Sequence, residues 1–207
     1  MDTELTGAIA AERRDLAAVL TGLPAGRWDE PSLCDGWRVR EVVAHVTMPF
    51  RYSMPRFLAQ LAKDRGDFTK MADRVARRDA AALSADELAA CLGDNAEHPW
   101  KPPGGGFQGA LTHDVVHGLD ITVALDLGRK VPEDRLRIVL DGFRKPKAAG
   151  YFGVDLAGIE LRADDLEWTF GSGEPLSGAA QDLLMVLCGR KLPPGRLRGE
   201  AATRFSS

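Results

Sequence analysis

Apolar positions recur at three- and four-residue intervals over most of the chain and alternate only near its C-terminal end. Over residues 4–22, Leu5, Ile9, Leu16, Val19, Leu20 and Leu23 line one side, with Glu12, Arg13, Arg14 and Asp15 elsewhere. This predicts a helix closed by Pro24 and Gly26. Residues 27–37 form a loop anchored by Trp28, Leu33 and Trp37. A second helix begins near Arg38, with Val39, Val42, Val43 and Val46 as its stripe. Pro49 and then Pro55 should kink or interrupt it, and helical character resumes through Phe57, Leu58 and Leu61. From Lys63 to Arg78 the chain is dense in charge, with little apolar material beyond Phe68, Met71 and Val75. It reads as a solvated helix or a mobile connection. Ser84 and Glu87 are spaced as a capping box opening a short helix that carries Leu88 and Leu92.

Prolines and glycines exclude helix from His98 to Gly106, which reads as a long surface loop. A central helix follows from about Phe107 to Leu125, with Leu111, Val115, Val116, Leu119 and Val123 at helical spacing. Pro132, Glu133 and Asp134 suit the first turn of another helix, running to about Lys145. After Pro146 the period changes. Ile159–Arg162 and Leu166–Phe170 alternate, predicting a hairpin about the turn at 163–165, and Gly171, Ser172 and Gly173 make a second turn. An amphipathic helix runs from Gly178 to Cys188. The expected fold is mainly α: an antiparallel four-helix bundle over residues 1–146, then a small α+β domain over 147–207.

Composition narrows the function. The 207 residues are 44% hydrophobic and 28% charged, enough for a sizeable core without disulfides. A net charge of −3 argues against a partner held through phosphates, so no nucleic acid is expected. No apolar run reaches the roughly 20 residues that span a bilayer, and the acidic N-terminus lacks a leader's basic and apolar regions. Three scattered cysteines without a CxxC suggest reduced thiols and a cytoplasmic protein. The oligomeric state is expected to be monomer or homodimer.

The chemistry concentrates in the central helix. His113 and His117 stand at i and i+4, on one face, with roughly 6 Å between their Cβ atoms. Such a pair chelates one divalent ion when a third ligand arrives, or is two ordinary helix histidines. His45, beside the apolar stripe of the second helix, would complete a three-histidine site with an open fourth position, the pattern of a catalytic zinc centre. Imidazole suits nickel and iron as well as zinc. His98 precedes a proline in a loop and is a poor ligand. Asp114 and Asp120 share the central helix, and Asp120, three residues beyond His117, either orients an imidazole or is solvated. Cys34 reads as a buried structural thiol rather than a nucleophile. There is no GxSxG, Walker loop or strand-linked GxGxxG.

Several stretches together carry a resemblance. Residues 31–45, from Pro31 through Cys34, Asp35, Gly36 and Trp37 to His45, resemble the loop-helix motif of the mycothiol-dependent maleylpyruvate isomerase family. That family is part of the DinB-like metal-binding bundle superfamily. Residues 113–121, with His113, His117 and Asp120, are similar to its second ligand motif. Residues 161–173 and 187–190 look like its C-terminal domain. The resemblance implies a zinc ion bound by His45, His113 and His117, with the thiol of mycothiol completing the coordination and adding to an electrophilic double bond. It implies that Arg190 binds or polarises an anionic substrate. Otherwise Arg190 is a cation at a helix C-terminus. The isomerase has a glutamate where this chain has His113, a departure that resembles the three-histidine sites of DinB-like thiol S-transferases. The expected function is a zinc-dependent enzyme using a low-molecular-weight thiol, either to isomerise maleylpyruvate-like substrates or to transfer sulfur to an electrophile. The alternative is a non-catalytic DinB-like metal- or ligand-binding stress-response protein.

Overall fold

A computed structural model describes residues 2–144 and 152–207. The end of the helix expected near Lys145 and the domain boundary expected at 146/147 lie outside the described residues. The chain forms two compact units, Met1–His117 and Gly118–Ser207. The fold is mainly helical, with a small four-stranded sheet in the second unit. Among the described residues no helix is long and apolar enough to cross a membrane.

The first unit holds α1 (Asp2–Thr21), α2 (Val39–Arg51), α3 (Met54–Lys63), α4 (Phe68–Ala82), α5 (Ala85–Asp94) and most of α6 (Gly106–Thr122). α2 packs against α4 and α5, and α1 against α5. Leu16, Leu20, Val42, Met71, Val75, Leu88, Leu92, Leu111 and Val115 are sealed from water. α5 opens with the anticipated capping box, Ser84 Oγ accepting from Glu87 N and the Glu87 carboxylate accepting from Ser84 N. α2 runs through Pro49 to Arg51 rather than breaking there. Pro49 has no N–H to offer the His45 carbonyl one turn earlier, and the helix ends within a few residues.

The charged stretch corrects the expectation. α4 is a core helix: Met71, Ala72, Val75, Ala76, Asp79 and Ala80 are buried along one face. Composition counts charges without regard to face, and here they sort to the other side or into pairs. Arg74 reaches Asp64 and Gln60, Arg77 reaches Asp73, and Arg51 and the Tyr52 hydroxyl both reach buried Asp79.

The second unit contains α7 (Glu133–Phe143), β1 (Ile159–Ala163), β2 (Thr169–Gly171), β3 (Glu174–Gly178), α8 (Ala180–Leu187) and β4 (Leu197–Arg198). β1 and β2 make the expected antiparallel hairpin, Leu161 facing Phe170, although the second strand starts later than its alternation suggests. The sheet order is β2-β1-β3-β4. β3 pairs parallel to β1 with Leu176 beside Leu161, and Gly178, expected to open the last helix, instead ends this strand. Its sequence, Glu-Pro-Leu-Ser-Gly, carries no alternation worth reading. The turn into it depends on Gly173: at φ +133° a Cβ there would stand 2.1 Å from the Gly158 carbonyl oxygen. α8 packs on β1, β3 and α7. Its N-terminus is met by Asp165 Oδ1, which accepts from Ala180 N at 2.8 Å.

Cys188 sits at the end of α8, 2% exposed, where burial pushes its thiol up to about 12. The folded thiol holds its proton longer than the unfolded one. This group's contribution is therefore complete below pH 9 and is lost as pH rises through 9 to about 12. Iodoacetamide at pH 8 should leave Cys188 unmodified in the native protein and label it in urea. Mass spectrometry showing native labelling at the unfolded rate would contradict this burial.

Candidate metal centre

The loop ahead of α2 is built to place side chains. Ser32 Oγ accepts from Cys34 N at 3.1 Å and donates to the Trp37 carbonyl at 2.8 Å, and Trp37 N closes a turn onto the Cys34 carbonyl at 3.0 Å. Gly36 takes the left-handed conformation this turn requires, φ +71°. Arg38 and Glu41 then lock the start of α2, Arg38 N donating to Glu41 Oε2 at 2.9 Å. Burial pushes the Glu41 carboxyl up, but the hydrogen bonds from Arg38 outweigh it and hold the carboxyl below the usual range.

Two turns into α2, His45 is 8% exposed and faces α6. His113 and His117 stand one above the other on α6, ring centroids 4.8 Å apart, and the His45 ring lies 5.2 and 4.9 Å from them. Each of the three offers a nitrogen within 4.8 Å of the others. His45 Nε2 and His113 Nε2 are 3.3 Å apart. Two nitrogens sharing a tetrahedral zinc at about 2.0–2.1 Å would stand about 3.3 Å apart, which is the spacing of this pair. The structure thus brings together the three histidines that the sequence singles out, all inside the first unit.

What surrounds them was less legible. His113 Nδ1 is 2.9 Å from Asp114 Oδ1, and Asp114 Oδ2 accepts from Arg13 Nε at 2.7 Å. Arg13 is wholly buried in α1, and its Nη1 donates to the carbonyls of His98 at 2.7 Å and Ala96 at 3.3 Å. Its guanidinium lies over the Phe50 ring. Neither Arg13 nor Asp114 stands out in the sequence: Arg13 sits in a run of charges, and Asp114 is merely the residue after a histidine. Cys34, read as a structural thiol, is indeed buried, and its Sγ stands 3.8 Å from His117 Nδ1.

Two tryptophans flank the trio. Trp37 lies against His45 at 5.2 Å between centroids and is held by an Nε1 bond to Asp73 at 2.7 Å. Trp100 meets His113 edge-on at 5.1 Å. The loop that opens at His98 therefore comes down on the histidines. His98 itself lies against Phe50 and accepts from Trp100 N through Nδ1 at 3.2 Å. Burial, and then the charge of Arg13, hold the His98 imidazole below its usual range, in keeping with an acceptor nitrogen.

In the second unit, Asp120 receives Arg190 through Nε at 2.7 Å and Nη2 at 2.9 Å. The arginine also donates from Nη1 to the Cys188 carbonyl. This bidentate pair, with the carboxylate wholly buried, fixes the plane of the guanidinium.

Comparison with known proteins adds the family. No curated protein matches the chain by sequence. Among solved structures, the crystal structure of the mycothiol-dependent maleylpyruvate isomerase aligns with a TM-score of 0.62 at 15% identity, over 97% of this chain and 93% of that one. A histidine-to-alanine mutant of that isomerase aligns with a TM-score of 0.54 at 17% identity, over the same shares. At these identities the likeness is one of fold. Residues 9–99, which include His45, match the profile of the mycothiol maleylpyruvate isomerase N-terminal domain. That match covers somewhat less than half of the chain, and over it the chain is similar to this family's N-terminal domain.

Proposed function

We propose that this protein is a cytoplasmic enzyme that binds a divalent metal, zinc before nickel or iron, through His45, His113 and His117. It uses a low-molecular-weight thiol, mycothiol, on a small electrophile of the maleylpyruvate type. The convergence of three imidazole nitrogens within 4.8 Å, in a chain whose residues 9–99 match this family's N-terminal domain, carries the reading. When bound, the ion would lower the pKa of a coordinating thiol and so supply a thiolate at neutral pH. The three imidazoles bring no charge of their own and leave a position for sulfur. Trp37 and Trp100 wall the site with aromatic surface, which limits water around a thiolate. Arg190 is assigned to an anionic group of the substrate, with Asp120 holding the guanidinium in one orientation.

Isomerisation returns the thiol unchanged, whereas S-transfer consumes one thiol per product. His113 stands where the resemblance implies a glutamate in the isomerase, and S-transfer is therefore kept as the second reading. Proton NMR of the zinc-loaded protein with mycothiol and maleylpyruvate separates them. Conversion of the cis to the trans double bond with the thiol recovered is the expected result. Thiol consumption with this or another electrophile would establish S-transfer instead. No turnover across an electrophile panel would overturn the enzyme reading in favour of a binding module.

A further inference from the structure

The carboxylate directly after His113 has a geometry that the proposed chemistry does not yet use. Asp114 is 1% exposed and sits between two partners, one on each oxygen: His113 Nδ1 on Oδ1 and Arg13 Nε on Oδ2. A carboxylate only accepts, so the proton between Oδ1 and Nδ1 resides on the imidazole. A neutral imidazole protonated at Nδ1 carries its lone pair on Nε2, the atom that stands 3.3 Å from His45 Nε2.

We propose that Asp114, clamped by Arg13, is the positioning carboxylate of the centre, holding His113 in the Nδ1–H tautomer with Nε2 directed at the ion. This rests on the metal-centre reading above. Histidine ligands ordinarily donate their second N–H to such a carboxylate, which fixes the ring and strengthens the donor nitrogen. The arrangement has little reason to exist for stability alone. A buried ion pair can often be exchanged for apolar side chains of similar volume without loss. An apolar side chain at position 114 would accept no proton from Nδ1 and would leave the ring free to choose its tautomer. Arg13 adds a second constraint, because the same guanidinium holds the Ala96 and His98 carbonyls. The carboxylate is thereby tied to the segment that brings Trp100 against His113.

Two measurements test the inference. Long-range proton–nitrogen correlation spectra of the metal-free protein at pH 9 should show His113 protonated at Nδ1 and bare at Nε2. A proton resident on Nε2 would overturn the proposal whatever any variant does. Zinc affinity, by chelator competition on protein shown folded by circular dichroism, should fall about 10–100-fold in Asp114→Asn, with a changed visible spectrum of the cobalt form. An Asp114→Asn protein with unaltered affinity and cobalt spectrum would also overturn it. Failure of the wild type to bind zinc while His113 keeps the Nδ1–H tautomer would sink the metal reading and leave the Asp114–His113 geometry standing.

Discussion

Arg13→Met is expected to destabilise the protein by about 3–5 kcal/mol, because it leaves the buried Asp114 carboxylate without its cation. Neither side chain reaches water: Arg13 is 0% and Asp114 2% exposed at the side chain. Taking both charges out of solvent is expensive, and their mutual attraction together with the carbonyls on Nη1 offsets that expense. Removing one partner abolishes the attraction and keeps the desolvation. The neighbouring residue is an internal control. Arg14 also pairs with a carboxylate, Glu97, but the two side chains are 55% and 80% exposed. Arg14→Met should therefore cost less than about 1 kcal/mol. Urea denaturation of the two variants, with a common m-value, makes the comparison. An Arg13→Met protein within 1 kcal/mol of the parent would mean that the pair is hydrated in solution.

His117→Ala should abolish stoichiometric zinc binding while leaving the helical fold in place. The ring is half-buried, and the core of α6 is made by other residues, Leu111, Val115, Val116 and Leu119 among them. Its loss leaves two imidazoles on two different helices, which no longer meet the three-ligand requirement of a catalytic site. The fall in affinity should exceed the 10–100-fold expected of a residue that acts through a ligand, which orders His117→Ala below Asp114→Asn. Elemental analysis after exhaustive dialysis, on protein made without a histidine tag, reads the result. A folded His117→Ala protein with the parent's metal content would place the ion elsewhere. Arg190→Met, by contrast, should retain the metal, since the residue is no part of the donor set.

Much of this architecture is legible from spacing. The stripes of α1, α2, α6 and α7 run at helical period in the sequence and are buried in the structure. The capping box of α5 and the β1–β2 hairpin are local devices whose partners lie within a few residues, and both form. The i and i+4 placement of His113 and His117 is likewise a property of one helix. Where the reading of the sequence fell short, the missing information was long-range. α4 has a composition that suggests solvent, and its buried face exists because α2 and α3 lie against it. β3 is a strand because β1 offers it a parallel edge, not because its own five residues favour extension.

The sequence by itself determined the helical bundle, the small α+β region, and the three histidines on which a metal would rest. Periodicity within an element is set by backbone geometry, and that survives in a one-dimensional record. Only the tertiary structure decided which charges matter. It distinguished Arg13 from Arg14, adjacent in the chain and alike in composition, by burying one against Asp114, 101 residues away, and leaving the other in water. It put Asp114 on the His113 ring and Asp120 on Arg190, 70 residues distant. The energy of a charged side chain depends on the dielectric around it and on the partner it meets, and both are created by the fold.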